Sequence, residues 1–205
     1  FDKTQPESFW DEFAVDLFIK FLPWLLAPLL ALFAAVLLSP AAALGAALLG
    51  FGVGYLGRTM FTYHLDDGYA PASVAALLKV VKVSPVRGVS AELRGTVIGR
   101  GTPGFVLSED VVLQDKTGIL FVDYNQPLAI LNWWFAIARV PEIMGKEVVA
   151  RGWYRRGPGP YFEVREIVYG GKTRTSYVYP AKLVWGGLLV AAGVLFTFGG
   201  FLAAL

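Results

Sequence analysis

Three stretches of this chain are long and apolar enough to cross a membrane, and a segment of strand-like sequence lies between the second and the third. The first runs from about residue 16 to residue 39 through FIKFLPWLLAPLLALFAAVLL, with Lys20 as its only cation, near one edge. Roughly 20 apolar residues suffice for a helix to cross the hydrocarbon layer. Pro23 and Pro28 each remove a backbone donor and are expected to kink it. The second stretch, 40–57, is built of Ala, Leu and Gly and is separated from the first only by Ser39 and Pro40, which implies a tight helical hairpin. The third, 183–205, contains no charged residue. Backbone groups in lipid need partners within their own segment, so a helix is the expected form of all three.

Composition agrees with a membrane protein carrying one water-facing domain. Hydrophobic residues make up 56% of the chain and charged residues 17%, below the quarter or so usual in soluble domains. There is no cysteine, which removes disulfides and thiolate metal ligands, and the net charge of +2 is too small to advertise a polyanionic partner. The opening FDKTQPESFWDEF lacks a basic region before a short apolar run and is no secretory signal. The chain reads as a processed product or a piece of something longer. Phe9, Trp10, Phe13, Leu17 and Phe18 read either as an interfacial ridge, with Asp11, Glu12 and Asp16 in water, or as the ordinary start of the first helix.

A hairpin returns the chain to the side it left, so the N-terminus and residues 58–182 share one face of the membrane. Lys3, Lys20, Arg58, Lys172, Arg174 and Lys182 all lie near the membrane on that face, and Ser39, Pro40 and Leu205 offer no charge to the other. The positive-inside tendency therefore places the strand-like domain and the N-terminus in the cytoplasm of a prokaryote with an inner membrane. Within the second stretch Ala42, Ala46, Gly50 and Gly54 recur every four residues, a small-residue face that permits close approach of another helix, in this chain or in a different membrane protein. No ionisable group lies deep in a span, so no ion path is visible. Gly52, Gly54 and Gly57 have the G-x-G-x-x-G spacing of a dinucleotide loop, but they follow an Ala/Leu helix instead of a strand and read as packing residues. No cofactor is expected.

The middle of the chain alternates. Ala91, Leu93 and Val97 point to one face of a strand, Glu92, Arg94 and Thr96 to the other. After the glycine-rich break at residues 99–104, VVLQDKTGILFVDY reads as two strands joined at Asp115-Lys116-Thr117-Gly118, with Gly118 placed to accept positive φ. An apolar segment, 127–144, precedes EVVARGWYRR and YFEVREIV, a hairpin around Gly157-Pro158-Gly159-Pro160. Strand, hairpin, helix, hairpin is the order of a five-stranded OB-like barrel with its helix between the third and fourth strands. The expected fold is thus α-helical and membrane-spanning, a hairpin plus a C-terminal span, with a small all-β OB-like barrel inserted. The segments are 1–15 (interfacial), 16–58 (hairpin), 59–83 (juxtamembrane linker), 84–170 (barrel), 171–182 (linker) and 183–205 (final span).

Candidate chemistry is sparse, and no catalytic or metal residue is assigned. His64 with Asp66 and Asp67 lacks the further His or Cys that would complete a zinc site and reads as a polar juxtamembrane turn. Glu109 and Asp110 are carboxylates in an apparent loop with nothing to shift them. Single-stranded nucleic acid would use Arg100, Arg155 and Arg156 with Trp153 and Tyr161, but Asp115 and Asp123 put acids beside the expected binding strands and no basic footprint exists, so nucleic acid is an unfavoured partner. Anionic lipid headgroups suit Arg155 and Arg156 better, since each cation near such a surface contributes about 1 kcal/mol. LAILNWWFAIA, 128–138, is apolar on nearly every side and about half the length of a span. Trp133 and Trp134 suit the membrane interface or a partner protein, and plugging of the barrel by the same helix weighs equally.

The run VSPVRGVSAELRGTVIGRGTPGFVLSEDVVLQDKTGILFVDY, with RVPEIMGKEVVARGWYRRGPGPYFEV after it, resembles the membrane-associated C-terminal part of prokaryotic M48-family (HtpX-like) zinc peptidases, over roughly residues 71–167. That family's catalytic HExxH and downstream Glu have no counterpart here, where His64 is the one histidine. The resemblance implies an accessory region without the zinc domain. Three functions follow as expectations: a non-catalytic scaffold or accessory subunit contacting other integral membrane proteins; the accessory part of a membrane peptidase whose catalytic part is absent from this chain; and a membrane-tethered nucleic-acid-binding module.

Overall fold

A computed structural model describes residues 9–64, 68–101 and 109–204. It divides into two compact units, one of long helices (Trp10–Thr62 and Tyr179–Leu205) and one built around a sheet (principally Tyr63–Val178).

The helical unit contains α1 (Phe9–Leu37), α2 (Ala42–Thr62) and α6 (Val178–Leu202), each long and apolar enough to cross a membrane. α1 runs through Pro23 and Pro28 as one element and begins at Phe9, so the described part of the expected interfacial segment belongs to the helix. α2 and α6 likewise extend beyond their apolar stretches, by five residues past Gly57 and five before Leu183, because helical hydrogen bonding does not stop where hydropathy falls. Ser39 closes the hairpin: its Oγ accepts from the Ala42 N–H at 3.1 Å, satisfying a donor at the start of α2, and donates to the Gly200 carbonyl at 3.1 Å.

α2 is the central helix, with 33% of its span window buried against 11% for α1 and for α6. Two glycine patterns explain how. Ala42, Ala46, Gly50 and Gly54 are all buried, and a Cβ on Gly50 would collide with the Leu26 carbonyl, one on Gly54 with Pro23 of α1. On another side Gly45 meets the α6 backbone at Phe196–Thr197 and Gly52 meets Val190, while Gly186, Gly193 and Gly200 of α6 face Leu56, Leu49 and Ala41. The four-residue face therefore serves α1 and the seven-residue repeat serves α6. Of the two partners expected for the face of Ala42, Ala46, Gly50 and Gly54, a helix of this chain or one of another membrane protein, the described residues show the first, α1. The same packing also disposes of the dinucleotide reading of Gly52, Gly54 and Gly57, whose N–H groups lie in a continuous helix and are used within it.

The sheet unit holds β1 (Pro71–Ala72), α3 (Val74–Leu78), β2 (Val89–Arg100), β3 (Val111–Gln114), β4 (Ile119–Asp123), α4 (Ala129–Ala138), α5 (Val140–Ile143), β5 (Glu147–Arg156), β6 (Pro160–Tyr169) and β7 (Lys172–Thr175). Five strands close into a barrel in the order β2-β3-β4-β6-β5 and back to β2, with β4 and β6 parallel and the other neighbours antiparallel. α4 and α5 lie between the third and fourth barrel strands, as expected. β1 and β7 extend the sheet from segments expected to be linkers; β1 is hidden from a pattern reading by its two-residue length and β7 by its polar sequence, KTRT. Closure depends on β2, whose first part pairs with β5 and whose last part pairs with β3. At the changeover Gly95 has no room for a Cβ against Gln114 and Leu113. Ala91, Leu93 and Val97 enter the core as their alternation predicts, beside Val111, Leu113, Leu120, Val122, Tyr154, Phe162 and Ile167.

Gly118 is a correction. Its φ is not positive; the turn is made by the Asp115 carboxylate, which accepts from the N–H of Thr117 at 2.6 Å and of Gly118 at 2.9 Å, and a Cβ on Gly118 would press on the Val74 side chain at 3.2 Å. Asp115 also accepts from the Val74 N–H at 2.8 Å, holding the start of α3. Burial works against its charge, yet these donors outweigh that and keep its pKa below the usual carboxylate value.

Replacing Gly45 or Gly193 with Val is expected to cost the helical unit about 2 kcal/mol or more through forced separation of α2 and α6. Gly187→Ala and Gly199→Ala, at positions with open space, are expected to be neutral or slightly stabilising. Thermal melts of the full chain in mild detergent measure both; equal effects at all four positions would contradict the packing.

Candidate functional site

Arg155 was expected among exposed loop cations. It lies in β5 and is 0% exposed, so its guanidinium is unavailable to a headgroup or a base. Its Nε donates to Glu163 Oε2 at 2.5 Å and its Nη1 to the Pro85 carbonyl at 3.0 Å. The second Glu163 oxygen accepts from Tyr63 Oη at 2.6 Å. The guanidinium stands 5.3 Å from the Tyr63 ring centroid and 5.9 Å from that of Trp153, and Trp153, 1% exposed, donates from Nε1 to the His64 carbonyl at 2.9 Å. Burial, then the Glu163 charge, pushes the Tyr63 hydroxyl far above its ordinary pKa, so it remains a donor. Alternation could not have found Arg155: it follows three consecutive buried residues, so this end of β5 is buried on both faces and the two-residue period gives no sign of it. Arg156, beside it, is half-buried and donates to the Leu78 carbonyl at 2.8 Å and Tyr154 Oη at 3.3 Å.

The nucleic-acid set disperses in the same way. Trp153 and Arg155 are interior, and Arg100 Nη2 donates at 2.9 Å to the Ala136 carbonyl, which ties β2 to α4. Glu92, expected in solvent opposite Leu93, is 7% exposed because Arg94 and Arg151 close over it at 2.8 and 2.9 Å. Hydrogen bonds from Arg151 and Arg94 hold its carboxyl below the usual range. His64 is described, but Asp66 and Asp67 lie outside the described residues. Among the described residues no group of three or more His, Asp and Glu side chains is placed to hold a metal ion.

Two acids that sequence separates come together. Asp110, before β3, and Asp123, at the end of β4, share an open cavity of about 550 Å³ with Phe121, Asn125, Tyr161 and the Pro158–Pro160 turn. Asn125 Nδ2 donates to Asp123 Oδ1. Burial pushes the Asp123 carboxyl up to about 7, with Asp110 and Glu163 adding repulsion, and burial raises Asp110 too. Glu163 is the register partner of Asp123 across β4 and β6, which links this pair to the Arg155 network. The expectation of unshifted carboxylates fails for Asp110, because hairpin pairing buries it next to Asp123.

α4 has two faces. Phe135 and Ala136 are buried; Phe135 stacks on Tyr124 at 3.8 Å and closes that end of the barrel. Leu128, Ile130, Trp133, Trp134 and Ile137 are 54–66% exposed. Plugging therefore belongs to Phe135, and Trp133 and Trp134 remain outside. A cleft of about 310 Å³ runs along the Leu131 and Trp134 flank of α4, walled opposite by Thr173, Arg174, Thr175 and Tyr177. Arg139 reaches it from the end of α4 while paired with Glu142 at 2.8 Å.

With this geometry in hand, comparison with protein-family models finds none that matches the chain, and comparison with curated proteins finds none similar to it.

Arg155→Met leaves Glu163 partly unpaired inside the sheet unit and is expected to cost about 3 kcal/mol. Asp123 has a folded pKa above its unfolded value, so the stability it contributes is complete below about pH 4 and is lost as the pH rises through about 7. Asp123→Asn should remove that loss, on the order of 3 kcal/mol, and flatten the melting temperature of the full chain between about pH 5 and 8. An unchanged pH slope in the variant would assign the titration elsewhere.

Proposed function

We propose that the protein is a non-catalytic integral-membrane scaffold or accessory subunit. Three spans hold it in a prokaryotic inner membrane, and an OB-type barrel is presented on the cytoplasmic side to a membrane-protein complex. The observation that carries this reading is the outer face of α4: on a barrel whose interior is closed by Phe135, Ile130, Trp133 and Ile137 stand exposed in one patch. Such a patch on a small domain marks a docking surface, and aromatic anchors are the side chains that concentrate binding energy.

The strand order and the helix between the third and fourth barrel strands support the OB-type assignment. The spans are supported by the outward side chains of α1 and α6, among them Leu32, Phe33, Leu195 and Phe196, all more than 60% exposed, which water would not tolerate in such density. Cytoplasmic orientation is supported by the cations near the spans. The alternative reading, the accessory part of a membrane zinc peptidase whose catalytic part is absent from this chain, rests on the sequence resemblance alone.

A photo-crosslinking residue at Ile137 in the full chain, activated in intact cells, is expected to yield a discrete protein adduct, lost on Trp133→Glu. The adduct's identity separates a peptidase from other membrane partners. Adducts with lipid alone, or none, would overturn the proposal.

A further inference from the structure

We propose that the cleft between α4 and β7 is a binding site for an anionic phospholipid, its phosphate held between Arg139 and Arg174 and its acyl chains lying over Leu131 and Trp134. The cleft is on a different flank of α4 from Ile130, Trp133 and Ile137. The inference rests on α6 being a span, but not on the proposed protein partner.

Chain continuity is the first argument. Tyr177 lines the cleft, and the next residue, Val178, begins α6, whose candidate span is Val178–Leu202. One wall of the site is therefore joined by a single peptide bond to a helix apolar enough to enter the bilayer, which puts a headgroup at the start of that helix within reach of the wall.

Charge and shape supply the second. Arg174 has one hydrogen bond among the described residues, a long 3.5 Å contact from Nε to Tyr169 Oη, which leaves its two terminal nitrogens for a ligand. Arg139 spends one nitrogen on Glu142. Tyr169 Oη donates to the other Glu142 oxygen at 3.1 Å, so this single acid is already engaged and the cleft keeps a net positive charge. Guanidinium groups match phosphate oxygens in pairs. Gln126 fixes the opposite wall by donating to Tyr124 Oη at 2.7 Å and the Thr175 carbonyl at 2.8 Å, so the cleft is built before a ligand arrives. Trp134 and Tyr177, 63% and 60% exposed, are the residue types that settle where hydrocarbon gives way to headgroups.

The test uses the full chain purified in mild detergent with phosphatidylglycerol or phosphatidylcholine added, and counts retained lipids by native mass spectrometry. Wild type is expected to retain one phosphatidylglycerol in preference to phosphatidylcholine. Arg139→Gln with Arg174→Gln should weaken retention by about tenfold or more. Lys116→Gln, a cation removed from a turn outside the cleft, should change nothing. Should the double variant fail to fold, Arg174→Lys keeps the charge without the planar fork and is expected to fall between. In wild type, phosphatidylglycerol brominated on its acyl chain should quench a tryptophan component that Trp134→Phe removes. Equal retention of the two lipids, undiminished retention in the arginine variants, or equal loss in Lys116→Gln would overturn the site. Solubility of the full chain without detergent would instead remove the spans, a separate failure.

Discussion

A buried guanidinium organises the barrel unit. Arg155 neutralises Glu163, engages the carbonyl of Pro85 and lies against the rings of Tyr63 and Trp153, so one side chain joins β5, β6, the segment before β2 and the first residue after α2. Burying a charge is tolerable only when its donors are used and its partner is close, and both conditions hold here. Tyr63 supplies the remaining oxygen of Glu163 with a donor that burial prevents from ionising. The arrangement places Tyr63 against Trp153 with ring centroids 5.0 Å apart, which converts the chain leaving α2 from a free linker into part of the packed barrel.

The same network shapes the acid pair. Besides its burial, Asp123 faces the carboxylates of Asp110 and of its register partner Glu163. The charge that steadies one end of β6 thus disfavours a second charge on β4. A proton shared near Asp123 relieves the conflict, and the barrel is tightest when that proton is present.

How much of this was legible follows from what carries each feature. Alternation at Ala91, Leu93 and Val97 is a local signal, and so is the hairpin at residues 157–160; both were readable because a strand's side-chain period is fixed by its backbone. The three apolar helices were readable for the same reason of composition. Burial of Arg155 was not, because its polarity argues for solvent and only the pairing of β5 with β6 brings Glu163 to it. Asp110 and Asp123 meet through the β3–β4 hairpin, whose register a pattern reading does not assign residue by residue. The small-residue face was legible as a packing face, yet sequence could not say whose helix it met: four-residue spacing permits close approach to α1 or to a stranger equally.

That last ambiguity resolves through the second glycine series. Gly45 and Gly52 on α2, with Gly186, Gly193 and Gly200 on α6, repeat at seven residues, the interval that keeps one seam facing one partner along a left-handed pair. A helix displaying only the four-residue face would be free to accept a neighbour from another chain. α2 displays both, and each meets a helix of this chain, α1 on one side and α6 on another, while side chains such as Leu44, 82% exposed, stay outside.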